Sequence, residues 1–268
     1  MSLPRPRRWR AALCATLAAC LAVTLVTLAA GAPRRPAASF AFAPPPAPAP
    51  EPGGVLHYRA YWRLLPAAVA TLRWNQVNGQ RQISFTADSI GVVSLFYPVR
   101  DRMVSNYDPS TFCTTSVDNH KLEGRRQLHT RIRYDPGRHR MVLDETNPAG
   151  DPPAVKHVVQ TIPGCVLDLF SALDYARSQP LHVGDSYTIP VNEGGKTEQV
   201  KLTVDLRETV ATPAGSFRTV RAEPTVFGNS VFHRPGRMWI WFTDDARHLP
   251  VQVKATVSWG TVLVQLTE

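Results

Sequence analysis

The sequence lacks the short motifs by which many hydrolases and nucleotide-binding enzymes are recognised. It has no Gly-rich phosphate loop, no Gly-x-Ser-x-Gly turn and no His-Glu-x-x-His pair, each of which is tied to the chemistry of its enzyme class. Neither Cys113 nor Cys165 has a second cysteine or histidine at a spacing typical of zinc sites. We therefore predict no catalytic residue, no metal site, no cofactor and no enzymatic activity.

Acidic residues are absent from the first fifty positions, although six arginines occur there. The net charge of the whole chain is +9, but from Glu51 onward 24 basic residues face 21 acidic ones, which leaves +3. A domain with that balance has an ordinary surface. The excess positive charge of the whole chain comes from the N-terminal arginines, which orient the segment in the membrane, so we predict no nucleic-acid partner. The six arginines are Arg5, Arg7, Arg8, Arg10, Arg34 and Arg35.

Charge is also missing from residues 11–32, which follow four of these arginines. About 20 apolar residues cross a bilayer, so this segment predicts a membrane anchor that holds a periplasmic domain at the inner membrane of a bacterium. Two alternatives remain open. The segment is a signal peptide cleaved after a small residue such as Ala32, or it is a lipoprotein signal in which Cys20 is acylated. Residues 33–53 are rich in proline and alanine and predict an extended linker.

Only two cysteines remain in the part of the chain that follows the linker, Cys113 and Cys165. In an oxidising compartment, two such cysteines favour a disulfide bond. The alternative is a pair of buried, unpaired thiols.

Apolar residues alternate with polar ones over most of residues 54–268, as in Leu56, Tyr58, Ala60 and Trp62. This period of two predicts strands buried on one face, and turn signals such as Asn78-Gly79 predict hairpins between them. Residues 166–178 have helical spacing instead. We predict one all-β domain, an antiparallel, strongly curved sheet or incomplete barrel with one short helix packed on it.

Two groups of residues are candidates for ligand binding. Arg100 and Arg102 could bind an anion while Asp101 orients one of them, or the three could form an ion pair that fixes a bend. Trp62, Trp74 and Trp241 could line an apolar cavity, or they could belong to a packed core. The histidines alternate with arginines on predicted exposed faces, which is typical of solvated positions.

Several segments of the domain, taken in their order along the chain, resemble a known family, the bacterial exported proteins of domain of unknown function 3108. The resemblance implies an envelope protein with a largely β fold, and it transfers no activity or catalytic residue. The segments are residues 56–62 (LHYRAYW), 95–102 (LFYPVRDR), 123–126 (EGRR), 168–173 (DLFSAL), 212–217 (TPAGSF) and 239–245 (WIWFTDD).

Three functions are compatible with these observations. The first is a non-enzymatic envelope protein, held at the membrane by its N-terminal segment, that binds a lipid-like or apolar ligand or a protein partner on its curved sheet. The second is a structural or assembly factor without a ligand cavity. The third is an envelope glycan hydrolase, which would need two carboxylates facing each other in a cleft.

Overall fold

A computed structural model of the chain describes residues 54–148, 154–225, 236–257 and 260–268. The predicted anchor (1–32), the predicted linker (33–53) and Cys20 lie outside the described residues. Within the described ranges, no helix has both the length and the apolar character needed to cross a membrane.

The described residues form one antiparallel sheet and two short helices. The strands are β1 (Val55–Trp62), β2 (Leu65–Val77), β3 (Gln80–Ser89), β4 (Val99–Tyr107), β5 (Thr114–Glu123), β6 (Arg126–Asp135), β7 (Arg140–Asn147), β8 (Ala154–Thr161), β9 (Ser186–Glu193), β10 (Lys196–Thr212), β11 (Gly215–Pro224), β12 (Gly236–Thr243), β13 (Pro250–Val257) and β14 (Gly260–Leu266), and the helices are α1 (Gly91–Phe96) and α2 (Leu169–Arg177).

The turns form where the sequence predicts them. At the β2–β3 hairpin, Asn78 has φ 51° and Gly79 has φ 78°, the left-handed conformation that a two-residue turn of this kind needs at both positions. The predicted helix is confirmed as α2. The second helix, α1, was not predicted, because its six residues bury no side chain and so give no apolar stripe.

The sheet is a meander whose strands follow chain order, except that β1 pairs with β14 in its middle. The two edges are therefore β8 and β9, which are consecutive strands in the chain with α2 between them. The connection between them is bonded to β5 and to β9, since the Val166 carbonyl accepts from Thr114 N–H at 2.9 Å and Leu167 N–H donates to the Pro190 carbonyl at 2.9 Å. The predicted incomplete barrel is confirmed.

A disulfide fixes this connection to the wall of the barrel. Cys113 lies just before β5 and Cys165 lies in the connection after β8, and the two sulfur atoms are bonded. The bond closes a loop with a sequence separation of 52 residues. This is the pairing that the sequence predicts.

The interior of the barrel is filled by side chains from the sheet and from α2. Tyr107 and Phe112 are fully buried, and Phe112 packs edge-on against Tyr175 of α2 with ring centroids 5.7 Å apart. Trp74 and Phe242 belong to the same apolar cluster. The helix thus lies against the inner face of the sheet, as predicted.

Candidate functional site

The Arg100-Asp101-Arg102 segment does not form the arrangement predicted from the sequence. Successive side chains on β4 point to opposite faces, so the Asp101 carboxylate lies apart from both guanidinium groups. Arg102 instead binds both carboxylate oxygens of Asp88 at 2.8 Å, and Arg100 lies 3.7 Å from the same carboxylate. Asp88, not Asp101, orients the two arginines. A role for them in anion binding remains a prediction.

The three tryptophans lie in different places. Trp74 is buried and donates from Nε1 to Asp174 at 3.1 Å. Trp241 is also buried, and its Nε1 donates to Glu208 at 2.7 Å. Trp62 ends β1, where the Arg63 guanidinium lies 5.5 Å from its ring centroid. Packing accounts for Trp74 and Trp241, and none of the three borders the cavity described below. Their role in ligand binding remains a prediction.

Asp174 on α2 is the centre of a buried ionic cluster that sequence reasoning missed. Its carboxylate is fully shielded from solvent and is bonded to Arg81 at 3.2 Å and to Arg177 at 3.1 Å. Tyr107 donates its hydroxyl to the same carboxylate at 2.6 Å. Because buried charges are stable only when paired and hydrogen-bonded, this cluster fixes α2 inside the barrel.

The start of α2 is held by a second buried carboxylate, that of Asp168. It caps the helix by accepting from Phe170 N–H at 2.8 Å, and it also accepts from Thr114 Oγ1 at 2.9 Å. An aspartate directly before a helical run is a start signal that can be read from sequence. The bond between Asp168 and Thr114 of β5 joins residues 54 positions apart, and no local sequence pattern indicates it.

A cavity of about 170 Å³ lies inside the barrel between β4–β7 and the β9–β10 turn. Its size is similar to that of engineered cavities of about 150 Å³ that hold benzene, and smaller than the roughly 300–1,000 Å³ of ordinary ligand pockets. Its walls combine apolar and charged side chains. They are Met103, Val117, Asn119, Lys121, Glu123, Arg126, Leu128, Thr130, Ile132, Tyr134, Glu145, Asp168, Asn192, Glu193 and Gly194.

The pKa values of two acidic groups in this region are raised. Burial, with a smaller contribution from the charge of Asp168, raises the pKa of Glu193, and Lys121 opposes the shift. Burial and the charge of Glu123 likewise raise the pKa of Asp101, whose Oδ1 atom is buried with no hydrogen-bond partner in the described part of the chain. Burial thus disfavours the charged form of both carboxyl groups.

We expect Glu193→Gln to raise the free energy of unfolding at neutral pH. A raised folded-state pKa means that the wild type loses stability as the pH rises from the ordinary value of 4.5 through the folded-state value. Glutamine carries no charge and escapes this loss. Urea unfolding at several pH values should show a gain at pH 7 that disappears below about pH 4.5. A gain that is equally large at low pH would contradict the proposed cause.

Exposed apolar side chains gather at the end of the barrel that carries α1. Ile90 N–H donates to the Ala67 carbonyl at 2.9 Å and so holds α1 beside the start of β2. Five residues in α1, in the β1–β2 turn and at the start of β2 are between 58 % and 89 % exposed, and we call them the apolar tip. They are Leu64, Leu65, Val92, Leu95 and Phe96.

Basic residues surround the apolar tip. Arg63 precedes it, Arg100 follows α1 with a side chain that is 72 % exposed, and Arg125 is exposed in the β5–β6 turn. That turn lies beside α1, because the ring of Tyr97 comes within 3.0 Å of the position that a Cβ atom would take at Gly124. This end of the barrel thus combines apolar and positively charged groups at the surface.

Comparison with solved structures shows that the fold has relatives. The chain is similar to the beta-barrel-like protein of domain of unknown function DUF1849 from Brucella abortus, with a TM-score of 0.53 and 6 % identity over 80 % of this chain and 95 % of that one. A candidate lipoprotein from Parabacteroides distasonis covers 82 % of this chain and 96 % of its own, with 8 % identity and a TM-score of 0.31. A candidate exported protein with a YmcC-like fold from Bacteroides fragilis has 12 % identity over 83 % of this chain and 98 % of its own, also with a TM-score of 0.31.

A comparison with curated protein sequences finds no significant match. The comparison with family models finds a match over residues 57–267, which contain nearly all of the sheet and both helices. The segments that carried the resemblance in the sequence lie almost entirely within this match. The chain belongs to the family described as protein of unknown function DUF3108.

Proposed function

We propose that the protein is exported to the bacterial cell envelope and acts there, without enzymatic activity, by binding a lipid surface through its apolar tip. Three features support an envelope location. The N-terminal arginines and the apolar residues 11–32 have the pattern of an export signal or anchor, the Cys113–Cys165 disulfide suits an oxidising compartment, and the resemblance that placed the chain in its family implies export.

The apolar tip is the observation that carries the proposal. Leu95 is 79 % exposed and Phe96 is 83 % exposed, and burying such a side chain contributes about 1.5–3 kcal/mol. Soluble proteins rarely leave large apolar side chains clustered at the surface unless they contact a partner or a membrane. The arginines near the tip favour an anionic surface, by about 1 kcal/mol for each charge near the headgroups, and Asp88 offsets part of the charge of Arg100.

The interior of the barrel supports a lipid ligand less well than the tip does. The cavity is small and has charged walls, whereas an acyl chain needs a long apolar channel. Trp74 and Trp241 fill the core around α2 and do not border it. We therefore place the lipid contact at the surface.

Vesicle flotation of the folded domain, residues 54–268, tests the proposal. We expect binding to vesicles that contain phosphatidylglycerol and weaker binding to vesicles of phosphatidylcholine alone. Leu95→Ser together with Phe96→Ser should lower the partition coefficient at least tenfold, because two insertions of about 1.5 kcal/mol or more are lost. Val183→Ser is the matched control, since Val183 is 52 % exposed in the loop before β9.

Near-ultraviolet circular dichroism should show that all three proteins are folded. Equal binding by the wild type and the double variant would reject the apolar tip as the contact. An assembly factor or a glycan hydrolase would leave the wild-type domain unbound, so a complete lack of flotation would reject lipid binding altogether.

A further inference from the structure

The outer face of the barrel carries a cluster of three metal-ligating side chains. Asp118 and His120 lie two residues apart on β5 and therefore point to the same face. His129 on β6 is the direct cross-strand neighbour of His120. Sequence reasoning missed the cluster because its members are joined by strand pairing rather than by a zinc-like spacing.

The ligand atoms of this cluster lie close together. Asp118 Oδ1 lies 3.0 Å from His120 Nε2 and 3.1 Å from His129 Nε2, and all three atoms lie within 4.8 Å of one another. The two imidazole rings are stacked with centroids 3.7 Å apart and an angle of 21° between their planes. Both Nε2 atoms thus lie within hydrogen-bonding distance of the same carboxylate oxygen.

These separations are close to those of a tetrahedral zinc site. Bonds of about 2.0–2.1 Å at tetrahedral angles place neighbouring ligand atoms about 3.3 Å apart. The two nitrogen–oxygen distances are only a few tenths of an ångström shorter. A bound ion lies in the plane of each imidazole that ligates it, so one of the two stacked rings would have to turn about its side-chain torsions to bring both Nε2 atoms to one ion.

The surroundings would orient the ligands and leave the site open. Arg131 Nε donates to the second carboxylate oxygen, Asp118 Oδ2, at 3.1 Å, the kind of outer contact that fixes a ligating carboxylate. The His120 side chain is 59 % exposed and those of His129 and Asp118 are about one third exposed. Solvent can thus supply the remaining coordination positions.

We propose that Asp118, His120 and His129 form a binding site for a zinc ion, with Asp118 Oδ1 and the two Nε2 atoms as ligands. Two imidazoles and one carboxylate favour zinc and its neighbours in the transition series over magnesium or calcium, which prefer oxygen ligands throughout. The site lies on the outer face, includes no residue of the apolar tip and does not depend on lipid binding.

Zinc titration of the full chain, without a purification tag and in detergent, tests the site. Isothermal titration calorimetry should give one zinc ion per chain for the wild type, and cobalt should give the visible absorption of a low-symmetry bound ion. We expect His129→Ala to weaken zinc binding at least tenfold. His129→Phe should do the same while keeping a stacked ring, which separates loss of the ligand from loss of packing.

The matched control is His157→Ala. His157 Nδ1 lies 2.6 Å from Asp144 Oδ1 on two neighbouring outer strands, so it forms a similar pair with a carboxylate. This variant should bind zinc as the wild type does. The proposal is overturned if the wild type binds no zinc, or if His129→Phe binds it with unchanged affinity. Equal weakening by His157→Ala would likewise reject the assignment of the ligands.

Discussion

Replacing Asp174 with alanine is expected to lower the free energy of unfolding by about 3–5 kcal/mol. The carboxylate is completely buried and bonded to Arg81 and Arg177, whose side chains are 10 % and 3 % exposed. Without it, two guanidinium groups remain inside the barrel with no opposite charge between them. Tyr107 and Trp74 also lose their acceptor. Asp174→Asn should be destabilising for the same electrostatic reason.

Urea unfolding followed by tryptophan fluorescence measures this effect. The midpoint should fall while the dependence on urea concentration stays the same. Asp88→Ala is the control, because Asp88 also binds two arginines but its side chain is 38 % exposed. Ion pairs of that kind contribute about 0–1 kcal/mol. If both variants cost the same, burial of the Asp174 cluster is not what stabilises the domain.

Removing the disulfide is expected to have an effect of similar size. The bond between Cys113 and Cys165 closes a loop of 52 residues, and the chain-entropy relation gives about 4 kcal/mol for a loop of that length. The double substitution Cys113→Ala and Cys165→Ala should therefore shift the urea midpoint strongly downward. The segment that follows β8 would lose its covalent link to the residue just before β5.

Reduction provides an independent check on the disulfide. Dithiothreitol should move the midpoint of the wild type to that of the double variant and leave the variant unchanged. If the reductant has no effect on the wild type, the loop entropy does not contribute to stability as expected.

The sequence predicts the parts of the fold that depend on local patterns. The alternation in residues such as Leu56, Tyr58 and Trp62 predicts half-buried strands, Asn78-Gly79 predicts a hairpin, and the helical spacing after Cys165 predicts α2. Each of these signals lies within a few residues of the structure it specifies. Hydrogen bonding between neighbouring strands then builds the sheet.

Contacts between distant residues could not be predicted in this way. Asp174 meets Arg81 and Tyr107 across 93 and 67 residues, and nothing near Asp174 in the sequence indicates either partner. The predicted pairing of Asp101 with one of the arginines beside it fails for a related reason. Adjacent residues were paired with one another, whereas on a strand the partner of Arg102 is Asp88 on the next strand.

The pairing of β1 with β14 determines how this barrel can fold. Tyr58 lies opposite Leu266, and His57 exchanges backbone hydrogen bonds with the last two residues. Strands β1–β8 and β9–β14 are each meanders of local contacts, which form quickly. Joining them requires loop closure over about 200 residues, a slow step. The sheet therefore stays in two halves until β14 pairs with β1, and a chain truncated before β14 would lack the strand that unites them.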